Sequence, residues 1–414
     1  MSGGVLSGIR VVDFTHIFAG PLATEILGDL GADVIKVERV DGGDAARLYG
    51  LTDPTDASGA FVALNRNKRG LAVDLGQEEG RRIVKQLIDG ADVVVENFRP
   101  GVMEKLGLGY EELAIDNPRL VYCAISGFGR EGAMATKAAN DLIIQAYSGL
   151  MSFTGEPGRP PVRAGTALSD FSGGLYAALG ILAALLHRGV SGRGQRVETS
   201  LLESQLSLLN YFFADYWLHG IVPMPMGTGN RLGMPNQAFP TADGYVVITA
   251  ANDRMYARCC EGLGLAELID DPRFATLADR YANREELVEL LSESTRAHTT
   301  EEVVLRLEER GVSCGPINTV ADVAADPRIE ELGIVTEVAV QGRGEATVIG
   351  SPLHLSETPV SFREPVPALG GSTAEILGEL GYTVAQIEEF RSNGVVSVAD
   401  GAPAPEREKG TSHV

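Results

Sequence analysis

Asp170 is the residue in this chain best placed, by type and setting, to act as a nucleophile toward a ligand. It stands in Leu168-Ser169-Asp170, just ahead of an apolar stretch that opens Phe171-Ser172-Gly173-Gly174 and runs to Leu186. An aspartate at a helix start commonly caps it, its oxygen accepting from the first free amides. A carboxylate followed by two glycines is also open to a bulky ligand. At an ordinary pKa of about 3.9 it is an ionised nucleophile at neutral pH, needing no base. His16 is the second candidate, at the C-terminal end of an expected strand, where open α/β sheets place ligands; the alternative is a histidine that merely builds its loop. The remaining histidines (His187, His219, His298, His354, His413) have no metal-ligand spacing, so no metal is expected.

With 56 acidic against 35 basic residues the net charge is −21, which argues against nucleic acid or anionic membranes as partners. One cluster of cations runs against that background: Asn65-Arg66-Asn67-Lys68-Arg69, with Arg39, Arg99 and Lys105 in the surrounding segments. It reads either as a solvated loop or as an anion site. The four cysteines (Cys123, Cys259, Cys260, Cys314) have neither zinc nor disulfide-framework spacing, and no secretory signal pattern opens the chain. A cytoplasmic protein is expected. No uncharged apolar run reaches the ~18 residues of a membrane span, so 171–186 is read as a buried core helix.

The elements that must position these residues begin with alternating strands and helices. Strands are expected at Ile9–Phe14, Asp33–Val37, Asp92–Val95 and Leu120–Ile125, with helices at 21–30, 78–88 and 102–106 between them. Such alternation implies βαβ units and a mainly parallel, Rossmann-like sheet. The first strand-to-helix loop, Thr15 to Pro21, lacks G-x-G-x-x-G, so Glu38 at the end of the second strand is weak support for a dinucleotide site. Residues 140–220 read as mostly helical, 223–233 as a joining loop, and 331–395 as mixed strand and helix. The stretch 398–414 is polar and Pro-containing, and disorder is expected there.

Taken together, several ordered blocks closely resemble the family III CoA transferases, the formyl-CoA and carnitine-CoA transferase type. The blocks include Asp13-Phe14-Thr15-His16 with Ala19-Gly20-Pro21, Leu30 to Glu38, Asn65 to Arg69, and Glu96-Asn97-Phe98-Arg99-Pro100-Gly101. They continue through Ser126-Gly127-Phe128-Gly129, Leu168-Ser169-Asp170, Gly315-Pro316-Ile317-Asn318 and Leu355 to Pro359. The resemblance implies an α/β fold: a Rossmann-like large domain from both chain ends (1–222 and 328–396), an inserted smaller α+β domain (223–327) and a disordered tail (397–414). It also implies an interlocked homodimer, with no permanently bound cofactor and with acyl-CoA and a carboxylic acid as substrates.

Position by position, Asp170 aligns with the family's catalytic aspartate. His16 and Ala19 fall in the loop lining the thioester end of CoA. Arg39 and the run Asn67-Lys68-Arg69 match positions that hold the nucleotide and phosphates, with Asn97, Phe98 and Lys105 nearby. Lys137 falls one residue from a further match. CoA would pass from an acyl-CoA donor to an acid through an aspartyl anhydride and an aspartyl-CoA thioester. Phe18 stands where formyl/oxalate enzymes have Gln, which disfavours oxalate. The Ser126 to Gly129 and Gly315 to Asn318 stretches resemble members that use succinyl-CoA, and Arg231 is a candidate partner for a distal carboxylate. Two alternatives stand beside this reading: an α-methylacyl-CoA racemase, whose Gly-His-Asp stretch is Ala139-Asn140-Asp141 here, and a non-catalytic CoA-binding protein.

Overall fold

The computed structural model describes residues 4–50, 58–231 and 233–399. Most of the expected tail, 400–414, and Leu232 of the joining loop lie outside the described residues, while Ser397 belongs to a strand. Two compact units emerge, one of residues 4–150, 163–221 and 332–399 and the other of 151–162 and 222–331. Residues 151–162, expected in the larger body, group with the smaller one.

The larger unit is built on β1 (Arg10–Asp13), β2 (Asp33–Glu38), β3 (Lys68–Val73), β4 (Val93–Glu96), β5 (Val121–Ser126) and β6 (Arg196–Ser200). They run parallel in the order β3-β2-β1-β4-β5-β6, the doubly wound arrangement whose ligand crevice opens at the strand C-termini where the order reverses, between β1 and β4. Alternation along the strands fills two cores. Val12, Ile35 and Val94 are buried on one face, and Val11, Val34 and Val93 on the other. Each such side chain stabilises the fold by roughly 1.5–3 kcal/mol.

The smaller unit has an antiparallel sheet of β7 (Asn236–Pro240), β8 (Tyr245–Thr249) and β9 (Ser313–Pro316), covered by helices that include Asp253–Leu263 and Arg284–Arg296. In the larger unit β10 (Val335–Val340) and β11 (Gly344–Ile349) form a hairpin. β12 (Val396–Ser397) adds antiparallel to the edge of β3, pairing Val396 with Val73.

Three expectations change. The cation run does not form a loop: Lys68 and Arg69 open β3, a fully buried strand. β6 was not expected at all. The apolar helix spans 24 residues, Leu168–Ser191, and by length and composition alone it is long and apolar enough to cross a membrane. It is also not wholly buried. Ala177, Ile181 and Ala184 enter the core beside Cys123 and Ile125, whereas Leu175, Leu179, Leu186 and Val190 are exposed.

Candidate active site

The cap reading of Asp170 fails on position. The helix cap is Ala167, and Asp170 is the third residue of the first turn. No hydrogen bond reaches its carboxylate from the described residues. The group is half-buried and faces a cavity of about 290 Å³, lined also by His16, Phe18, Ala19, Asn97 and Lys137. Its ordinary acidity is lost: burial first, and then the Asp141 charge, push its pKa up to about 7. A carboxylate stripped of water and hydrogen-bond donors is a stronger nucleophile than a solvated one once ionised.

Gly173 and Gly174 do not open the site to ligand, as their position had implied. A Cβ at Gly174 would collide with the Ala19 carbonyl and press on Leu22, and one at Gly173 would come within 2.8 Å of Leu201. Gly174 lets the first turn of helix Ala19–Asp29 lie directly on the Asp170 helix, which brings Phe18 and Ala19 to the same cavity as the carboxylate, and Gly173 makes room for Leu201. Phe18 is wedged between Tyr49 and Phe171, with ring centroids 5.6 and 6.1 Å away.

His16 is held by its backbone. Its N–H donates to Asn97 Oδ1 at 2.9 Å, and its carbonyl accepts from Asn97 Nδ2 at 2.9 Å. The imidazole lies edge-on to Phe98, centroids 5.1 Å apart, and Phe98 in turn is fixed by its N–H to the Glu96 carboxylate at 2.8 Å. Burial, aided by the Lys36 ammonium, lowers the His16 pKa, so the ring is neutral at physiological pH. His16 and Phe98 also line a second cavity of about 480 Å³, together with Arg39 and residues Asp74 to Gly76 at the ends of β2 and β3. The two cavities thus share a wall at the strand C-termini.

The cations divide into two sets. Lys68 is fully buried, its Nζ donating to Asp13 (3.1 Å), the Pro21 carbonyl (3.0 Å) and Asn65 (3.0 Å), so all three ammonium protons are used. Burial opposes ionisation of Asp13, but Lys68, Lys36 and the Thr15 and Thr24 hydroxyls hold its pKa at about 2. Arg69 bridges Asp33, Glu375 and Glu379. Asn67 joins Asp29 to the backbone of Ser361 and Arg363. These three side chains are buried and occupied in tying distant segments together, and none of them lines either cavity. Arg39, Lys105 and Lys137 are exposed, and among the described residues Arg39 pairs only with nearby Asp41. Arg39 and Lys137 line the cavities, as does Arg99; Lys105 does not. Arg231 is a half-buried residue of the smaller unit.

Glu38 is no ribose ligand either, since its carboxylate is taken by Arg47 at 2.7 Å and by the Asp44 N–H at 2.9 Å. Among the described residues no group of three or more His, Cys, Asp or Glu is placed to hold a metal. Asn140, in the place of a racemase histidine, lines the Asp170 cavity, and its side chain caps a helix by accepting from Ile143 N–H at 3.1 Å. It cannot carry a proton. Sequence reasoning missed Asp141, Asn140 as a lining residue, and the buried acid Asp44; their places around the site follow from tertiary packing that local pattern does not reveal.

Comparison with known proteins agrees with this geometry. The sequence model of CoA-transferase family III matches residues 6–373. The chain is 38% identical over 381 residues to a succinate–glutarate CoA-transferase of Agrobacterium fabrum, covering 91% of this chain and 95% of that one. A succinyl-CoA:glutarate CoA-transferase of Mus musculus is 40% identical over 392 residues, with 94% and 90% covered. The crystal structure of a CAIB/BAIF family protein from Brucella suis matches with a TM-score of 0.84 at 38% identity, covering 92% of this chain and 100% of that one. With an unbonded aspartate at the mouth of a cavity beside a neutral histidine, and these relatives along nearly its whole length, the chain belongs to CoA-transferase family III and is a CoA transferase.

Proposed function

We propose that this enzyme moves CoA from succinyl-CoA to a second dicarboxylic acid, with Asp170 as the covalent carrier. The observation that carries the mechanism is the Asp170 carboxylate itself, free of capping duty and facing the cavity. An Asp170 oxygen attacks the thioester carbonyl carbon, the C–S bond breaks, and CoA thiolate leaves a mixed anhydride. The thiolate attacks the aspartyl carbonyl, releasing the donor as its carboxylate and forming an aspartyl-CoA thioester. The acceptor carboxylate then attacks that thioester, and thiolate return to the acceptor's acyl carbon gives the new acyl-CoA and restores Asp170. Over the whole cycle one thioester is consumed and one is formed, so the exchange needs no ATP.

Relatives named for succinate, glutarate and succinyl-CoA support the choice of substrates. Phe18 supports it too, because an apolar wall suits the methylene chain of a longer diacid better than oxalate. The cavity carrying Arg39 suits the nucleotide end of CoA, with Lys137 and Arg99 nearer the thioester. Hydroxylamine added after succinyl-CoA should convert Asp170 to a hydroxamate, detectable by peptide mass. Active enzyme with unmodified Asp170 would refute the covalent route, and wild-type protein inert toward succinyl-CoA and a panel of diacids would favour a non-catalytic CoA-binding role.

A homodimer belongs to the same reading. It is supported by the apolar outer face of Leu168–Ser191 and by helix Asn210–His219, which buries no residue and exposes Trp217 and Leu218 at 74% each. Large apolar side chains exposed along two helices suit a face that a second copy covers.

A further inference from the structure

We infer that Asp44 is a positioning residue for CoA transfer: it locks Ile17 in a left-handed backbone conformation, and that lock sets His16 and Phe18 around Asp170. The inference rests on the function proposed above.

Ile17 has φ of +69°, and among the described non-glycine residues only Asn67 shares a positive φ. Asparagine tolerates that region; a β-branched residue there is an outlier that the surroundings must enforce. What enforces it is visible. Ile17 N–H donates to both oxygens of Asp44, at 3.1 and 3.3 Å. Asp44 is completely buried, and it also accepts from Ala46 N–H at 2.9 Å and pairs with the equally buried Lys36 at 3.0 Å.

Lys36 Nζ donates in addition to the Thr15 carbonyl at 2.9 Å. The buried Lys36–Asp44 pair therefore grips the chain on both sides of His16, through Thr15 on one side and Ile17 on the other. Asn97 holds His16 itself from a different strand end. Neither Asp44 nor Lys36 lines the Asp170 cavity, so the pair acts through the loop. Reversing the sign of φ at residue 17 would swing His16 and Phe18 apart, and displacements of about 1 Å in such sites cost on the order of 100-fold in rate.

The test compares three proteins in succinyl-CoA-dependent exchange: wild type, Asp44→Asn, and Asp44→Asn combined with Ile17→Gly. Asparagine keeps the shape but loses the charge and turns one of the two acceptor oxygens into an NH2 donor, which breaks the grip of both oxygens on the Ile17 N–H, so Ile17 relaxes; kcat should fall at least tenfold, with KM for the donor within about threefold. Glycine enters the left-handed region without enforcement, so the double variant should recover most of the lost kcat, a rescue that general destabilisation would not give. Unchanged kcat in Asp44→Asn, or no recovery on adding Ile17→Gly, overturns the inference. Should Asp44→Asn fail to fold around an uncompensated Lys36, Lys36→Met/Asp44→Asn replaces it, and the same two outcomes decide. Inactive wild type would instead overturn the proposed function, and the φ of residue 17 in a crystal structure of the variant would then decide the loop's dependence on Asp44 without reference to turnover: a retained positive φ overturns it.

Discussion

The Asp141 carboxylate is bound to the residue just before Asp170: its Oδ1 accepts from the Ser169 amide at 2.9 Å and the Ser169 hydroxyl at 2.8 Å. A buried carboxylate is thereby fixed behind Asp170. Burial and then this charge raise the Asp170 pKa to about 7, so the carboxylate is held reactive at the cost of its ordinary acidity.

Turnover should follow that acidity. Only the ionised form attacks, so kcat/KM for the acyl-CoA donor is expected to be flat above pH 7–8 and to fall about tenfold per unit below about 7. A profile flat down to pH 5 would show an unshifted Asp170.

Asp170→Asn should lose exchange by about 10⁴-fold or more, because the amide cannot form the anhydride. The same variant should be more stable than wild type at pH 8. Below pH 4 both folded and unfolded Asp170 are protonated; between about 4 and 7 the unfolded chain releases its proton first, so wild-type stability falls as pH rises. After discounting for partial solvent access, the advantage of the variant at pH 8 is about 1–3 kcal/mol. Denaturant unfolding at pH 4 and pH 8 measures it, and equal differences at both would contradict the shift.

The two sets of cations should respond differently. Lys68→Met leaves Asp13 buried without its main counter-charge and should cost about 3–5 kcal/mol of stability, with donor KM of the folded protein unchanged. Arg39→Ala should leave stability within about 0.5 kcal/mol yet raise the donor KM about tenfold, and less so at high salt. Unfolding curves and KM measured side by side would expose any exchange of these roles.

Leu179→Glu places a charge on the apolar outer face of the long helix. Association should weaken by at least 100-fold, read by sedimentation velocity at micromolar protein. An unchanged sedimentation coefficient would remove that face from the subunit contact.

Much of this arrangement could be read from the chain alone. β1, β2, β4 and β5 announce themselves as apolar runs because both their faces are buried, and Asp170 is conspicuous beside its apolar helix. β3 escapes because Lys68 and Arg69 look like solvated residues; the carboxylates that neutralise them lie 55 positions before Lys68 and 306 and 310 positions beyond Arg69. β6 escapes because its sequence, Arg196-Val197-Glu198-Thr199-Ser200, is short and mostly polar. The acidity of Asp170 and the left-handed Ile17 are tertiary properties. Desolvation and an enforced φ exist only after folding, so no local pattern encodes them.

The docking of β12 on β3 has a consequence for biogenesis. Until residues near 397 leave the ribosome, β3 presents a bare edge, Arg69 lacks Glu375 and Glu379, and the core that Ile376, Phe390 and Val396 complete stays wet. The six parallel strands lie within residues 10–200, yet a strand almost 200 residues further on, the last among the described residues, closes their edge. Maturation of the larger unit must therefore wait for β12 to emerge, and nascent chains that have not yet exposed that strand are the ones a cell's chaperones would have to shield.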